Sequence, residues 1–156
     1  MSCPEELVAL EAFWHAKRGE RLLPSRADFT PLDLRPWLGN LAMVVVEREP
    51  VLRFRVTLSG TRLDDYRGWN ITGQYIDTVG EAIAGTLPHY MVSLESRQPV
   101  HFIHDNSANS AIYRTMAKML LPLGDDGITV DRFVAAIYPL RANDSLLPAA
   151  DYALAG

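Results

Sequence analysis

Apolar positions recur at helical spacing near the start of the chain, at Leu7, Leu10, Phe13 and Trp14. Ser2 and Glu5 have the spacing of a capping box, and Gly19 supplies a stop. The pattern predicts a helix over residues 4–18. Its apolar stripe needs cover, either from this domain's own sheet or from the same helix of a second chain. Residues 22–41 carry Leu22, Leu23 and Phe29 for burial. Within them, Thr30, Pro31 and Asp33 predict a short helix that Pro36 limits to about two turns. Residues 41–46 form an apolar, β-branched run, and Glu49-Pro50 marks a turn. Leu52, Phe54, Val56 and Leu58 then alternate with Arg53, Arg55, Thr57 and Ser59, which predicts a strand with one buried face.

From residue 60 to 77 the pattern breaks into short pieces punctuated by Gly60, Gly68 and Gly73, with room for one helical turn over 62–66. Ile83, Leu87, Tyr90, Met91 and Leu94 share a helical face, and Pro88 makes residues 79–97 either one bent helix or two. Strand character returns at 100–104, 113–122 and 130–140, with a polar loop at 105–111 and a hairpin turn at 124–127. This order predicts one α+β domain: a five-stranded antiparallel sheet with helices on one face and an N-terminal helix. The expected divisions are an N-terminal amphipathic helix (1–19), the domain proper (20–140) and a C-terminal tail (141–156).

Composition narrows the function classes. At 156 residues, 48% hydrophobic and 22% charged, the chain is long enough for a real core and ordinary for a globular protein. A net charge of −4 with dispersed signs announces no basic surface for nucleic acid or anionic lipid. The single cysteine, Cys3, has no internal disulfide partner. No apolar stretch approaches the ~18–20 residues that span a bilayer. The opening runs directly into acidic residues instead of a basic signal-peptide region. The expectation is a cytoplasmic protein without nucleic-acid or membrane partners.

Four segments carry a family resemblance. Leu23-Pro24-Ser25-Arg26-Ala27-Asp28-Phe29-Thr30-Pro31 resembles the entry motif of a single-domain PAS-like family common in proteobacteria. Phe54 to Thr61, ending in Gly60-Thr61, is similar to its second strand. Gly68-Trp69-Asn70-Ile71-Thr72-Gly73 resembles its glycine-bounded turn, and Leu120-Leu121-Pro122-Leu123 its closing hairpin. The resemblance covers residues 9–138 and implies a sensory or signalling module that binds a protein partner or a small molecule. It brings no catalytic residues. Arg26, Asp28, Gly60, Thr61 and Gly73 are its structural positions, and no cofactor follows from it.

The residues add little chemistry of their own. His101 and His104, three apart on a strand, point to opposite faces and do not share a metal. His89, beside Pro88, could serve as an axial haem ligand, although a lone helical histidine is more often solvated. His15 has no visible partner. Asp64-Asp65 and Asp125-Asp126 read as turn chemistry, and no nucleophile elbow or phosphate loop is present. Arg26 and Asp28 read as a loop-tying pair, with the guanidinium satisfying backbone carbonyls. In a PAS-like fold a cavity lies between the sheet and the short helices. Tyr66, Trp69, Tyr90, Met91, Tyr113 and Met119 are the expected lining, although such a set also suits plain core packing. Three functions compete: a protein-interaction module, with a homodimer through the first helix; a small-molecule receptor; and a small enzyme or ligand carrier on a cone-shaped α+β scaffold. The enzyme reading needs a polar pair inside the cavity, such as Tyr113 with His101.

Overall fold

A computed structural model describes residues 3–140. Helix α1 spans Glu5–Arg18, with Glu5 and Glu6 in its first turn and Lys17 and Arg18 in its last, which suits the helix dipole at both ends. Pro4 is its N-cap, and Ser2 of the expected capping box lies outside the described residues. Strands β1 (Leu41–Glu47) and β2 (Arg53–Ser59) form a hairpin. Helices α2 (Thr61–Arg67), α3 (Glu81–Ala84) and α4 (Leu87–Ser96) follow. Strands β3 (Val100–Asp105), β4 (Thr115–Leu123) and β5 (Arg132–Pro139) close the sheet, whose order is β2-β1-β5-β4-β3, antiparallel throughout. The first and last strands in sequence therefore meet at the centre.

Both faces of this sheet are covered, and β4 records it: every residue from Met116 to Leu123 is buried. Met116, Lys118 and Leu120 face the block formed by α2, α3 and α4. Ala117, Met119 and Leu121 face α1. On the α1 side, Leu7, Leu10 and Trp14 are fully buried within the same core as the sheet. The Trp14 indole N–H donates to the Pro122 carbonyl at 2.8 Å, and the Trp37 indole N–H donates to the Glu6 carbonyl at 2.9 Å. Glu11 pairs with His101 of β3. The helical stripe is thus covered by the chain's own sheet, the first of the two expected alternatives. Residues 141–156, the expected tail, lie outside the described residues.

Three expectations are corrected. The alternation in β2 does not keep one phase. A β-bulge opposite Met43/Val44 leaves Thr57 unpaired, so Phe54 and Val56 point inward while Leu58 turns to the other face beside Met43 and is 54% exposed. The short helix after Thr30 is a run of turns. The Thr30–Asp33 cap forms (Asp33 N–H to Thr30 Oγ1, 3.2 Å), but no regular helix follows it, and Pro36 withholds a donor. The Arg26 side chain does not tie the entry loop, although its backbone N–H donates to Asp125 Oδ1 at 3.1 Å. Its guanidinium makes no hydrogen bond there, whereas Arg21 donates to Asp28 Oδ2 at 2.7 Å and to the Lys17 carbonyl at 2.6 Å. Asp28 is the organiser, because it also accepts from the Ser25 N–H and hydroxyl.

Other local readings hold. Residues 79–97 form two helices, and Pro88 sits in the first turn of α4, where a missing N–H costs nothing. Gly60 lies against the 39–40 turn so closely that a Cβ would stand 2.4 Å from the Gly39 carbonyl oxygen. Gly73 has φ of +90°, a backbone region that L side chains avoid.

Candidate functional site

The inner face of the sheet and the helical block enclose an apolar cavity. Its lining comes from every layer: Val44 and Val56 of the hairpin, Tyr66 and Arg67 of α2, Ile76 before α3, Tyr90 of α4, and His104, Met116, Lys118 and Ile137 of the other strands. The enclosed volume is about 30 Å³, which is room for about two water-sized groups.

Lys118 dominates the electrostatics. It is only 5% exposed, and its ammonium lies 5.7 Å from the Tyr90 ring centroid and 5.6 Å from that of Phe102. These cation–π contacts offset part of its desolvation. Among the described residues no acceptor or carboxylate bonds Nζ. Burial, and then the nearby Arg67 guanidinium, push Lys118 down to about 7. His104 is pushed down to about 4, first by burial and then by the Lys118 and Arg67 charges, with Asp105 opposing and His89 adding a further push downward. Arg67 has neighbours of its own, donating to Ser59 Oγ at 3.2 Å beside Asp64.

Two asparagines hold Tyr66 at the edge of this space. Asn40 Nδ2 donates to the Tyr66 hydroxyl at 2.9 Å and to the Ile137 carbonyl at 3.0 Å. Asn106 Nδ2 donates to the Tyr66 carbonyl at 2.7 Å and to the Tyr113 carbonyl at 2.8 Å, binding the β3–β4 loop to α2. Both asparagines are buried.

Of the six aromatic and methionine positions expected to line the cavity, Tyr66 and Tyr90 do so. Tyr113 packs edge-on against Tyr66, with ring centroids 4.8 Å apart, in a neighbouring polar crevice. Met91 packs at the margin of the core, and Trp69 is 40% exposed on the α2–α3 connection. Met119 belongs to the opposite face, because its register partner is His101, which contacts α1. One position in a strand exchanges one face for the other.

Sequence reasoning missed Lys118, Arg67, His104 and Asn106. One signal was available: Lys118 interrupts the otherwise apolar run from Met116 to Leu121, and a charge inside a strand with two buried faces demands a reason. His101 and His104 do point to opposite faces, His101 towards Glu11 and His104 into the cavity. The Tyr113–His101 pair does not form: Tyr113, before the start of β4, packs on Tyr66, whereas His101 pairs with Glu11 of α1. His89 stacks on Phe102, with ring centroids 3.8 Å apart, and lines a separate shallow crevice.

A family model described as "PAS domain" matches residues 3–138. The chain belongs to the PAS domain family. That family comprises sensory and signalling modules, and PAS domains commonly mediate protein–protein contact and dimerisation. The match spans α1 together with the sheet, so the helix is part of the family's extent in this chain. One solved structure, reported for a flavin analogue in a light-oxygen-voltage domain, is 11% identical with a TM-score of 0.51, covering 72% of this chain and 84% of that one. The LOV protein of Rhodobacter sphaeroides is 13% identical at a TM-score of 0.45, covering 99% and 83% of the two chains. No curated protein matches the chain. Among the described residues no helix is long and apolar enough to cross a membrane.

Proposed function

We propose that this PAS domain senses a small molecule held in the inner cavity and reports its presence through the contacts that Tyr66 of α2 makes with Asn40 and with Asn106 of the β3–β4 loop. The observation that carries the reading is the buried ammonium of Lys118, which faces a mostly apolar space shared with Arg67 and His104 and has, among the described residues, ring faces but no acceptor beside it. A protein that merely needed a packed core would place an aliphatic side chain there. A flavin, the type of group mentioned for one structural neighbour, does not fit this site: three fused rings far exceed an enclosed space of about 30 Å³. The enzyme alternative loses the Tyr113–His101 pair on which it was built.

A homodimer through α1 is a further part of the proposal, limited to the helix's outward side. Leu7, Leu10 and Trp14 are committed to the sheet, whereas Val8 is 56% exposed. Such a module would suit a cytoplasmic signalling partner.

The test of ligand sensing is methyl NMR on the full chain. Probes of two or three non-hydrogen atoms, among them methanol, formate and formamide, are titrated while the methyl groups of Met116, Ile83 and Ile137 are observed. Shifts confined to these groups and their neighbours are expected. Methyls that stay unmoved across the whole panel would remove the reading.

A further inference from the structure

Lys118, Arg67 and His104 enter the cavity from β4, α2 and β3, and no aspartate or glutamate lines it. Asp64 is engaged by Asn70 Nδ2 at 2.9 Å and by the Ser59 hydroxyl at 3.3 Å, and Asp105 lies at the exposed end of β3. From α4, Tyr90 faces Lys118 with a buried phenol that burial keeps protonated, and His89 stacks on the Phe102 ring. From α2, the Tyr66 hydroxyl accepts from Asn40. His104, pushed down to about 4, is neutral at pH 7. Lys118 is held near 7 by burial and by Arg67, so at pH 8 most of its amines carry a free lone pair. A desolvated lysine beside a second cation is an activated nucleophile. Arg67 keeps its charge, and its bond to Ser59 Oγ at 3.2 Å occupies only part of its donor fork.

We infer that Lys118 is a carbamylation site, taking carbon dioxide onto Nζ as a carbamate whose carboxylate is met by the Arg67 guanidinium. This inference rests on the ligand-sensing reading above and names its ligand. In the step, the Nζ lone pair forms a bond to the carbon of carbon dioxide. One C–O π bond opens to leave the negative charge on oxygen, and one N–H proton departs to the solvent. Three features select this chemistry. Carbon dioxide has about the bulk of two waters, which matches an enclosed volume of about 30 Å³ and excludes larger electrophiles. It is neutral and has no net dipole, so it enters a mostly aliphatic wall without the desolvation cost of an ion. The product replaces an amine with an anion in a cavity that holds Arg67 and no acid, so the guanidinium charge gains a partner there.

Carbon-13 NMR on the full chain at pH 8, with labelled bicarbonate in equilibrium with dissolved carbon dioxide, tests this. Ethylation of the carbamate with triethyloxonium, followed by peptide mass spectrometry, locates the label. Label on Lys118 is expected, separated by peptide from Lys17, the chain's other lysine, and from the N-terminal amine. At a fixed concentration of dissolved carbon dioxide the adduct should decline as the pH falls below about 7, where the amine takes up its proton. Lys118→Met should abolish it. In Arg67→Gln the carbon dioxide needed for half-modification should rise at least about tenfold. If either variant fails to fold, the labelled wild-type peptide decides alone. Label only on Lys17 or the N-terminal amine, or none at all, would overturn the carbamate. Shifts of the Met116, Ile83 and Ile137 methyls with bicarbonate but without a covalent adduct would do the same. In those cases a response of these methyls to methanol, formate or formamide leaves the sensing reading standing, and no response to any of them ends both.

Discussion

Replacing Lys118 with methionine keeps the length of the side chain and removes its charge from the core. In the folded protein the lysine titrates at about 7 instead of its ordinary 10.5. Between those values the unfolded chain holds a proton that the folded chain lacks, so this group makes stability rise with pH from about 7 to about 10.5. Below pH 7 the full penalty applies, and a displacement of that size corresponds to about 5 kcal/mol. Methionine forfeits the two cation–π contacts, worth about 0.5–2 kcal/mol each, and regains part of this through sulfur–aromatic packing on Tyr90 and Phe102. The net expectation is that Lys118→Met is more stable than wild type by about 2–4 kcal/mol at pH 6.5, with the gain vanishing near pH 10. Urea unfolding at several pH values measures it. With a slope of about 1–3 kcal/mol per molar, the midpoint should move up by about 1–3 M at pH 6.5. His101, which titrates in the same range, is present in both proteins and lies across the sheet, so it cancels in the difference. A variant no more stable than wild type at pH 6.5, or one whose gain is the same at pH 6.5 and 9.5, would refute the reasoning. A stabilising loss of charge would also mean that the chain carries Lys118 at a cost to stability, as residues kept for function often are.

The α1 face gives two further expectations. Trp14→Ala removes a fully buried ring and its bond to the Pro122 carbonyl, and should cost about 3–5 kcal/mol, whereas Val8→Asp on the outward side should stay within about 0.5 kcal/mol. Thermal unfolding distinguishes the two, and light scattering on Val8→Asp reports any loss of a dimer. His101 behaves in the opposite sense to Lys118. Burial pushes it down, but the contacts with Cys3 and Glu11 prevail and raise it to about 9. Its stabilisation is therefore complete below about pH 6.5 and lost as pH rises through 9, while that of Glu11, whose pKa is lowered chiefly by the His101 hydrogen bond, is lost in acid below about 4.5. His101→Gln should cost about 2 kcal/mol at pH 6 and almost nothing at pH 9.5, and an NMR titration of the wild-type imidazole locates the midpoint directly.

Local patterning was enough for the element order, the amphipathic first helix, the β1–β2 hairpin and the antiparallel sheet, because each depends on side-chain period and on where glycine and proline sit. Leu7, Leu10 and Trp14 at helical spacing specify a buried stripe, but not whether the chain's own sheet or a second copy buries it. Folding settled that, since β4, an interior strand of the sheet, presents apolar residues on both faces and needs cover on each. The face of a strand residue is similarly beyond local reading when register matters. Met119 and Lys118 are neighbours in sequence, yet one lies under α1 and the other enters the cavity. Leu58 leaves the inner face because of a bulge that no alternation pattern reveals. The candidate site itself joins β3, β4, α2 and α4. Its defining property, positive charge with no buried acid to answer it, arises from long-range placement, so the sequence holds each of its residues but not their meeting.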